Sequence, residues 1–390
     1  MPAIRALDKL DDILASSENF LQRMHERGND PYQHKQLNRL FSPSEAAELV
    51  GRDRTTLARA EAELGLESLQ RNPNNNRRVG YTLEQVQKFR RHFGTLPWRA
   101  ATDAPITIAC QNFKGGVGKS TTCVNFAHYL ALKGYRVLVV DTDSQATTTS
   151  MFGYMPDAQI TEKHTLLPYL DSTETSLVYA VRKTYWPNID LIPSCLALYD
   201  AELAIAAHLA TQEDRAKRLD FFSELKFGLQ TVSEHYDVIL LDSPPSLGLI
   251  SINVLLAADA LLVPTAPRMY DFTSTVQFFR MVRNYISQID AGKEYLWISV
   301  LTTLFDQRLA SHKQFFEVMQ ACFGDSILQH VFFQSSEIIN SAVQYLGSYE
   351  QAKPNRKVLE MLDGVFGEIE LRVLREWPSK RAMLHEKGIA

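Results

Sequence analysis

With 390 residues, 45% of them hydrophobic and 22% charged, the chain has ordinary globular composition and too much length for one modest core, so two or three domains are expected. No apolar run reaches the roughly 20 residues of a bilayer span, and "MPAIRALDKLDDILASSENF" carries acids where a secretory signal would be basic and then apolar. The net charge is −4, and Cys110, Cys123, Cys195 and Cys322 are too scattered for a zinc, iron–sulfur or disulfide framework, which points to a reducing cytoplasm.

In chain order, the first 30 residues place Ile4, Leu7, Leu10, Ile13, Leu14, Leu21 and Met24 at three- and four-residue steps, the period of an amphipathic helix. A helix with no core of its own is expected to pack on a partner subunit as a dimerisation arm, with docking on its own chain as the alternative. Next, Ser42 can cap a helix whose first residue is Pro43, with Glu45 at the capping-box position. This helix should cover 43–50, break at Gly51, and be followed by a second helix from 54 to about 64. Two short helices across a tight glycine turn form a helix-turn-helix signal, and Arg54, Thr55, Thr56 and Arg59 stand at the end that reaches base edges in a major groove. After it, "LQRNPNNNRRVGYTLEQVQKFRRHF" reads as strand, turn with Arg77 and Arg78 at its tip, strand and helix: a wing for phosphate or minor groove. Between 68 and 100 seven basic residues stand against the single acid Glu84, the local excess a polyanion partner would use. The competing account is a helical hairpin with a solvated basic face.

The turn-rich "GTLPWRAATDAP" reads as a linker. Beyond it, "ITIAC", "RVLVV", "YDVILLD", "ALLVP", "LWISVLT" and "ILQHVFF" alternate with helical segments, the mark of a mainly parallel, doubly wound α/β sheet covered on both faces. The first of these strands runs into "CQNFKGGVGKST", and a helix follows. Strand, glycine loop and helix in that order form a phosphate site: backbone N–H groups converge on phosphate oxygens at a helix N-terminus. Gly115, Gly116, Val117, Gly118 and Thr121 would form the cradle, Lys119 would reach the β- and γ-phosphates, and Ser120 would bind Mg²⁺. Phe113 stands where the common pattern has glycine, so the loop is the variant K-G-G-x-G-K-[ST]. Lys114 lies at the opposite lip and cannot easily reach the same chain's phosphates. A use for it is to reach nucleotide in a facing subunit and neutralise charge between the β- and γ-phosphates. Two further strand ends supply Asp141, Asp143 and Asp242, placed for magnesium and water management. Asp242 would hold the metal's water shell, Asp143 would orient the attacking water and Asp141 would support the magnesium side.

Together these residues resemble the ParA/MinD family of deviant Walker ATPases, closest to the large partition ATPases with an N-terminal DNA-binding domain. The resemblance runs through the winged segment, "NFKGGVGKSTT", "DTDSQATTTSMFG", "LLDSPPSLGL" and "LLVPTAPRMYDFTSTVQFF", and it puts Pro264 where the family lines its nucleotide pocket. It implies a P-loop fold divided as an arm (1–35), a winged helix-turn-helix domain (36–97), a linker (98–106) and an ATPase domain (107–390). It further implies ATP/ADP and Mg²⁺ as ligands, and a homodimer that sandwiches nucleotide and binds nonspecific DNA. A ParB-like centromere-binding protein would stimulate hydrolysis, and operator DNA would be bound for autorepression in the ADP or apo state. No membrane partner is implied, and the place of work would be the nucleoid in the cytoplasm.

Two departures stand out. Ser144 replaces the proline of the family's "DxDPQ". "QSSEIINSAVQYLGSYEQ" has no Lys or Arg where relatives place DNA-contacting arginines, leaving Arg308, Lys353, Arg356 and Lys357 as candidates, with ordinary surface charge as the equal alternative. Three rival readings also follow. A MinD-like membrane role needs a basic amphipathic C-terminal helix, whereas "GEIELRVLREWPSKRAMLHEKGIA" is mixed in charge. An electron-transfer ATPase needs cluster cysteines, and none lies between Cys195 and Cys322. A transcription factor that only senses nucleotide would show no turnover.

Overall fold

The computed structural model of the chain describes residues 6–26, 35–66, 80–211, 214, 219–386 and 388. Seven strands form one sheet: β1 (Ile106–Cys110), β2 (Val137–Asp141), β3 (Arg182–Lys183), β4 (Ile189–Ile192), β5 (Val238–Asp242), β6 (Ala260–Thr265) and β7 (Trp297–Thr302), in the order β3-β4-β2-β5-β1-β6-β7. All neighbours are parallel except β3 against β4. Strands β1, β2, β4, β5 and β6 are buried at every position, which is why their sequences are apolar runs rather than alternations. Alternate residues still separate into two cores. Ile106, Ile108, Val137 and Val139 face Phe126, Leu130, Val365 and Phe366, while Ala109, Leu138 and Val140 face Leu229, Val254, Leu255 and Phe278. β1, first in sequence, lies inside the sheet between β5 and β6, so the winding reverses beside its C-terminal end. A crevice opens there in such sheets.

The sequence reading missed β3 and β4, and it placed a strand over "ILQHVFF" that does not form. Only isolated bridges tie Ile327 to Val300 and Phe333 to Phe305. Between them the backbone N–H groups of Gln329 and His330 donate to the Glu368 carboxylate at 3.0 and 3.2 Å, so a side chain takes the donors a ladder would need.

Before the sheet, helices Pro43–Val50, Arg54–Glu63 and Leu83–Phe93 pack around Ala46, Val50, Leu57, Ala60, Val86 and Phe89. The first has the anticipated Ser42–Glu45 capping box and ends on Gly51 at φ +72°, a left-handed conformation that favours glycine. Asp53 caps the second, and Thr82 and Gln85 form a capping box on the third. Phe41 and Tyr81 exchange two backbone hydrogen bonds of 2.8 Å, an antiparallel bridge. The expected wing tip with Arg77 and Arg78, and the wing's first strand, lie outside the described residues.

This helical unit is fastened to the sheet unit. Gln87 Nε2 donates to the Ala131 carbonyl at 2.9 Å, Arg90 Nη2 to that of Leu132 at 3.2 Å, and Trp98 Nε1 to that of Gly134 at 2.9 Å. The stretch expected to be a linker is therefore held down. Arg99 adds bonds to the carbonyls of Tyr236, Asp103 and Glu234. The helix Ala6–Glu26 is amphipathic as expected, and Leu7, Leu10, Ile13, Leu14 and Phe20 on it are exposed.

Candidate active site

The glycine loop connects β1 to the helix Lys119–Lys133. Gly116 and Gly118 have φ of +74° and +87°, and a Cβ on Gly115, Gly116 or Gly118 would meet nothing within 4 Å. The loop thus presents bare backbone to open space at a helix N-terminus, the arrangement that collects phosphate oxygens. Buried Asn112 anchors its start: Nδ2 donates to the Pro264 carbonyl at 2.8 Å, Thr275 Oγ1 at 3.1 Å and Thr265 Oγ1 at 3.2 Å, and Oδ1 accepts from the Lys114 N–H at 3.2 Å. Thr303 Oγ1 donates to the Val117 carbonyl at 2.8 Å. Pro264 therefore supports the loop from behind.

The two lysines are sharply unlike. Lys119 is buried, and its Nζ donates to the Lys114 carbonyl across the loop at 3.1 Å. Burial lowers its pKa, against the pull of Asp242. Lys114 is exposed at the lip.

The strand register sets Asp141 opposite Asp242 across β2 and β5. Asp141 is fully buried: Oδ2 accepts from the Thr149 N–H at 2.8 Å and hydroxyl at 2.7 Å, and Oδ1 from the Asp143 N–H at 3.1 Å. Both oxygens thus hold the chain that turns back under the site. Asp242, also fully buried, accepts from Thr148 Oγ1 at 2.7 Å through Oδ2, while Oδ1 has no partner of hydrogen-bonding geometry. Burial pushes the Asp242 carboxyl up to about 6, opposed by the hydroxyls of Ser120 and Thr148. Asp141 is raised well above the ordinary carboxylate range by burial and then by the charge of Asp242. Asp143 is half-exposed, and its Oδ1 accepts from the Gln145 N–H at 3.0 Å.

A buried carboxylate oxygen with an open lone pair, next to a serine hydroxyl at the end of a phosphate loop, suits a hard cation held mostly through water and phosphate oxygens. Among the described residues no group of three or more His, Cys, Asp or Glu is placed to hold a metal ion. Beside the loop a largely apolar cavity of about 420 Å³ is lined by Val117, Thr121, Leu304, Phe332, Phe333 and Ile338 among others. Pro264 is not on its wall. A larger cavity of about 690 Å³ lies at the opposite strand ends, and there Lys183 pairs with Asp190 and Arg136 with Asp237.

Of the predicted residues, the structure brings together Lys114, the loop glycines, Val117, Lys119, Ser120, Thr121, Asp141, Asp143 and Asp242. It leaves the expected nucleic-acid residues elsewhere. Arg54, Thr55 and Arg59 are exposed on the helix Arg54–Glu63, whereas the Thr56 hydroxyl donates to Asp53 at 2.6 Å. Arg308 is exposed and doubly bonded to Asp306 at 2.9 and 2.8 Å. Lys353, Arg356 and Lys357 are exposed around the start of the helix Arg356–Glu376, with Arg356 bonded to Glu360. The sequence reading passed over Asn112, Thr148, Thr149, Glu202 and Thr303. The run "TTTS" directly after the aspartates was a visible signal. Glu202, which accepts from the Ile250 N–H at 3.2 Å, had none.

Several known proteins are similar to this chain. A family model described as an AAA domain matches residues 106–292. Protein SopA of Escherichia coli (strain K12) is 34% identical over 333 residues, covering 84% of this chain and 85% of its own. The sporulation initiation inhibitor protein Soj of Bacillus subtilis is 33% identical over 224 residues, covering 57% of this chain and 82% of its own. Among solved structures, a plasmid partition protein of Borrelia burgdorferi bound to AMPPNP superposes with a TM-score of 0.55 at 23% identity, over 68% of this chain and 98% of that one. Cobyrinic acid a,c-diamide synthase of Mycobacterium smegmatis with bound ADP and magnesium does so with 0.51 at 25% identity, over 62% and 91%.

Proposed function

This chain belongs to the ParA family of partition ATPases, and we propose that it works as a nucleotide-switched dimer that moves DNA and represses its own operon. The observation that carries the reading is the contrast between the two lysines: one buried and bonded across its own loop, the other exposed at the lip. In this reading Lys119 binds the β- and γ-phosphates of its own nucleotide, and Lys114 crosses a dimer seam to the partner's. Ser120 and Asp242 hold Mg²⁺, Asp242 through its water shell, and the bound cation supplies charge neutralisation between the β- and γ-phosphates. Asp143 orients the attacking water. Asp141 stands on the magnesium side but supports it through the turn it holds, since both its oxygens are engaged. The apolar cavity takes the base, a task its wall suits better than buried Pro264.

The helical unit, taken as 36–97, is proposed as a winged operator-binding domain, with 98–106 as a pinned connection and 107–390 as the ATPase domain. The SopA match covers more of the chain than the ATPase domain alone supplies, which supports a shared N-terminal unit. The exposed apolar face of the first helix suits a dimerisation arm. A ParB-like partner stimulates hydrolysis, and the ATP-bound dimer holds nonspecific nucleoid DNA through exposed bases such as Arg308, Lys353, Arg356 and Lys357. No helix among the described residues is long and apolar enough to cross a membrane, and Trp377 and Leu384 near the C-terminus are buried, which speaks against a MinD-like tail. The decisive experiment is light scattering of the full chain with ADP, with an ATP analogue and without ligand. Twice the protomer mass with the analogue, whether or not the ligand-free chain is already dimeric through its arm, supports the seam; the protomer mass in all three conditions overturns it.

A further inference from the structure

We propose that Thr148 is a positioning residue for the magnesium site: its hydroxyl fixes Asp242 so that one carboxylate oxygen is presented to the cation's water shell. The proposal rests on the reading of Asp242 and Ser120 as the magnesium side. Three consecutive threonines begin the helix Thr147–Met151, and two of them are fully buried and serve two strands at once. Thr149 bonds Asp141 at the end of β2, and Thr148 bonds Asp242 at the end of β5. The Thr149 hydroxyl also accepts from the Ser194 N–H at 2.9 Å, so the short helix cannot rotate without breaking three contacts.

The consequence is directional. The Thr148 hydroxyl takes Oδ2 at 2.7 Å, and Oδ1 makes no hydrogen bond of ordinary geometry, although the Ser120 hydroxyl lies close enough to the carboxylate to favour its charge. A buried acceptor left open costs free energy in a chain without ligand, and the adjoining Ser120 hydroxyl marks where the open lone pair is used. Without the Thr148 bond, Asp242 could turn, and its two oxygens would compete for the same position. The same bond joins the turn carrying Asp143 to the strand carrying Asp242, and Thr142 strengthens the join by donating its N–H and hydroxyl to the Asp242 carbonyl at 3.0 and 2.7 Å. Water orientation and metal position would thus be set by one piece of backbone.

The test measures binding, not turnover. A fluorescent ADP analogue is titrated onto the full-length protein with and without Mg²⁺, and the ratio of the two affinities is the readout. Thr148→Val should bind the probe without Mg²⁺ as the wild type does and lose about tenfold of the Mg²⁺ enhancement, the loss typical when a group orienting a metal ligand is removed. Thr148→Ser should restore it. Should Thr148→Val fail to bind the probe even without Mg²⁺, Thr148→Ala removes the hydroxyl without adding a methyl against the carboxylate and is read the same way. A full enhancement in the hydroxyl-free variant, or a serine variant as impaired as valine, overturns the proposal. If the wild type itself shows no enhancement, the underlying magnesium assignment fails instead.

Discussion

Lys119 and Lys114 are five positions apart, yet the fold gives them opposite surroundings. Lys119→Ala should abolish nucleotide binding in a fluorescent-nucleotide titration, because the ammonium inside the loop has no substitute. Lys114→Ala should leave that titration unchanged while partner-stimulated ATP turnover falls by about two orders of magnitude, the scale for removing one preorganised charge from a transition state. Full stimulated turnover would show that Lys114 does not cross the seam. Asp242 gives a prediction about stability and pH. Its carboxyl is raised to about 6 by burial, above the unfolded value of about 3.9. The stabilisation tied to its protonated form is therefore complete below about pH 4 and lost as pH rises through 6. At pH 7.5 the ligand-free chain carries the cost of a buried charge, at most about 3 kcal/mol. Asp242→Asn should accordingly raise the melting temperature of the ligand-free protein at pH 7.5, with a smaller gain at pH 5, and should lose Mg²⁺-dependent nucleotide binding. An unchanged or lower melting temperature at pH 7.5 would contradict this. Ser144 sits in a turn held by local bonds: Asp141 Oδ1 and Asp143 Oδ1 accept from the next N–H but one, and the Asp143 backbone carbonyl accepts from the Ala146 N–H at 2.9 Å.

Among elements, the helix Lys119–Lys133 has the nucleotide loop at its N-terminus and the helical unit at its C-terminus. The last carbonyls of a helix lack a full set of partners within it; here that of Leu132 accepts from Arg90 and that of Ala131, which also accepts from the Gly134 N–H of the cap at 3.0 Å, from Gln87 of the helix Leu83–Phe93. A guanidinium also suits the negative end of the helix dipole. Burial lowers the Arg90 pKa to about 10, so it is charged at neutral pH. Arg90→Ala should destabilise the protein by about 1–3 kcal/mol in urea unfolding; a loss below a few tenths would mean that the contact carries no energy. The same helix and the chain just past it bind the helix Arg356–Glu376: Tyr129 on the helix and Tyr135 beyond its Gly134 cap both donate to Glu370, at 2.6 and 2.8 Å. The helix caps were legible because a cap is local: Ser42 and Glu45 are three residues apart. The failed strand at 327–333 was not, because Glu368 lies about forty residues away and its carboxylate diverts the ladder's donors.

At the scale of the whole molecule, the proposed operator surface and the ATP site are separate and joined through packed structure. Arg54 and Arg59 are exposed on the helix Arg54–Glu63, in the helical unit that precedes the sheet, while the aspartates stand at or just past strand ends of the sheet. Replacing both with alanine should weaken operator binding at least tenfold, with each lost phosphate contact also reducing the salt dependence, and leave basal ATP turnover unchanged. Intact operator footprints would remove that helix from the task. Removing residues 1–35 should lower dimer mass in light scattering without ligand if the first helix is the arm; an unaltered mass would return that helix to its own chain.

The sequence by itself determined the fold class, the phosphate loop, the order of the acidic strand ends and the helix caps, because each depends on residues that are neighbours or share one period. Buried parallel strands must be apolar, and a loop that approaches phosphate must be glycine, wherever they occur. Only the tertiary structure decided which aspartate keeps an open oxygen, since Asp141 and Asp242 look alike until Thr149 and Thr148 reach them. It also decided that the apparent linker is pinned, and that the cavity beside the loop is walled by Phe332, Phe333 and Ile338 rather than by Pro264. The physical reason is common to all three: hydrogen-bond partners and cavity walls are chosen by how separate elements pack, as when Thr148 reaches Asp242 94 residues on and Trp98 reaches Gly134 36 residues on, and no local pattern records them.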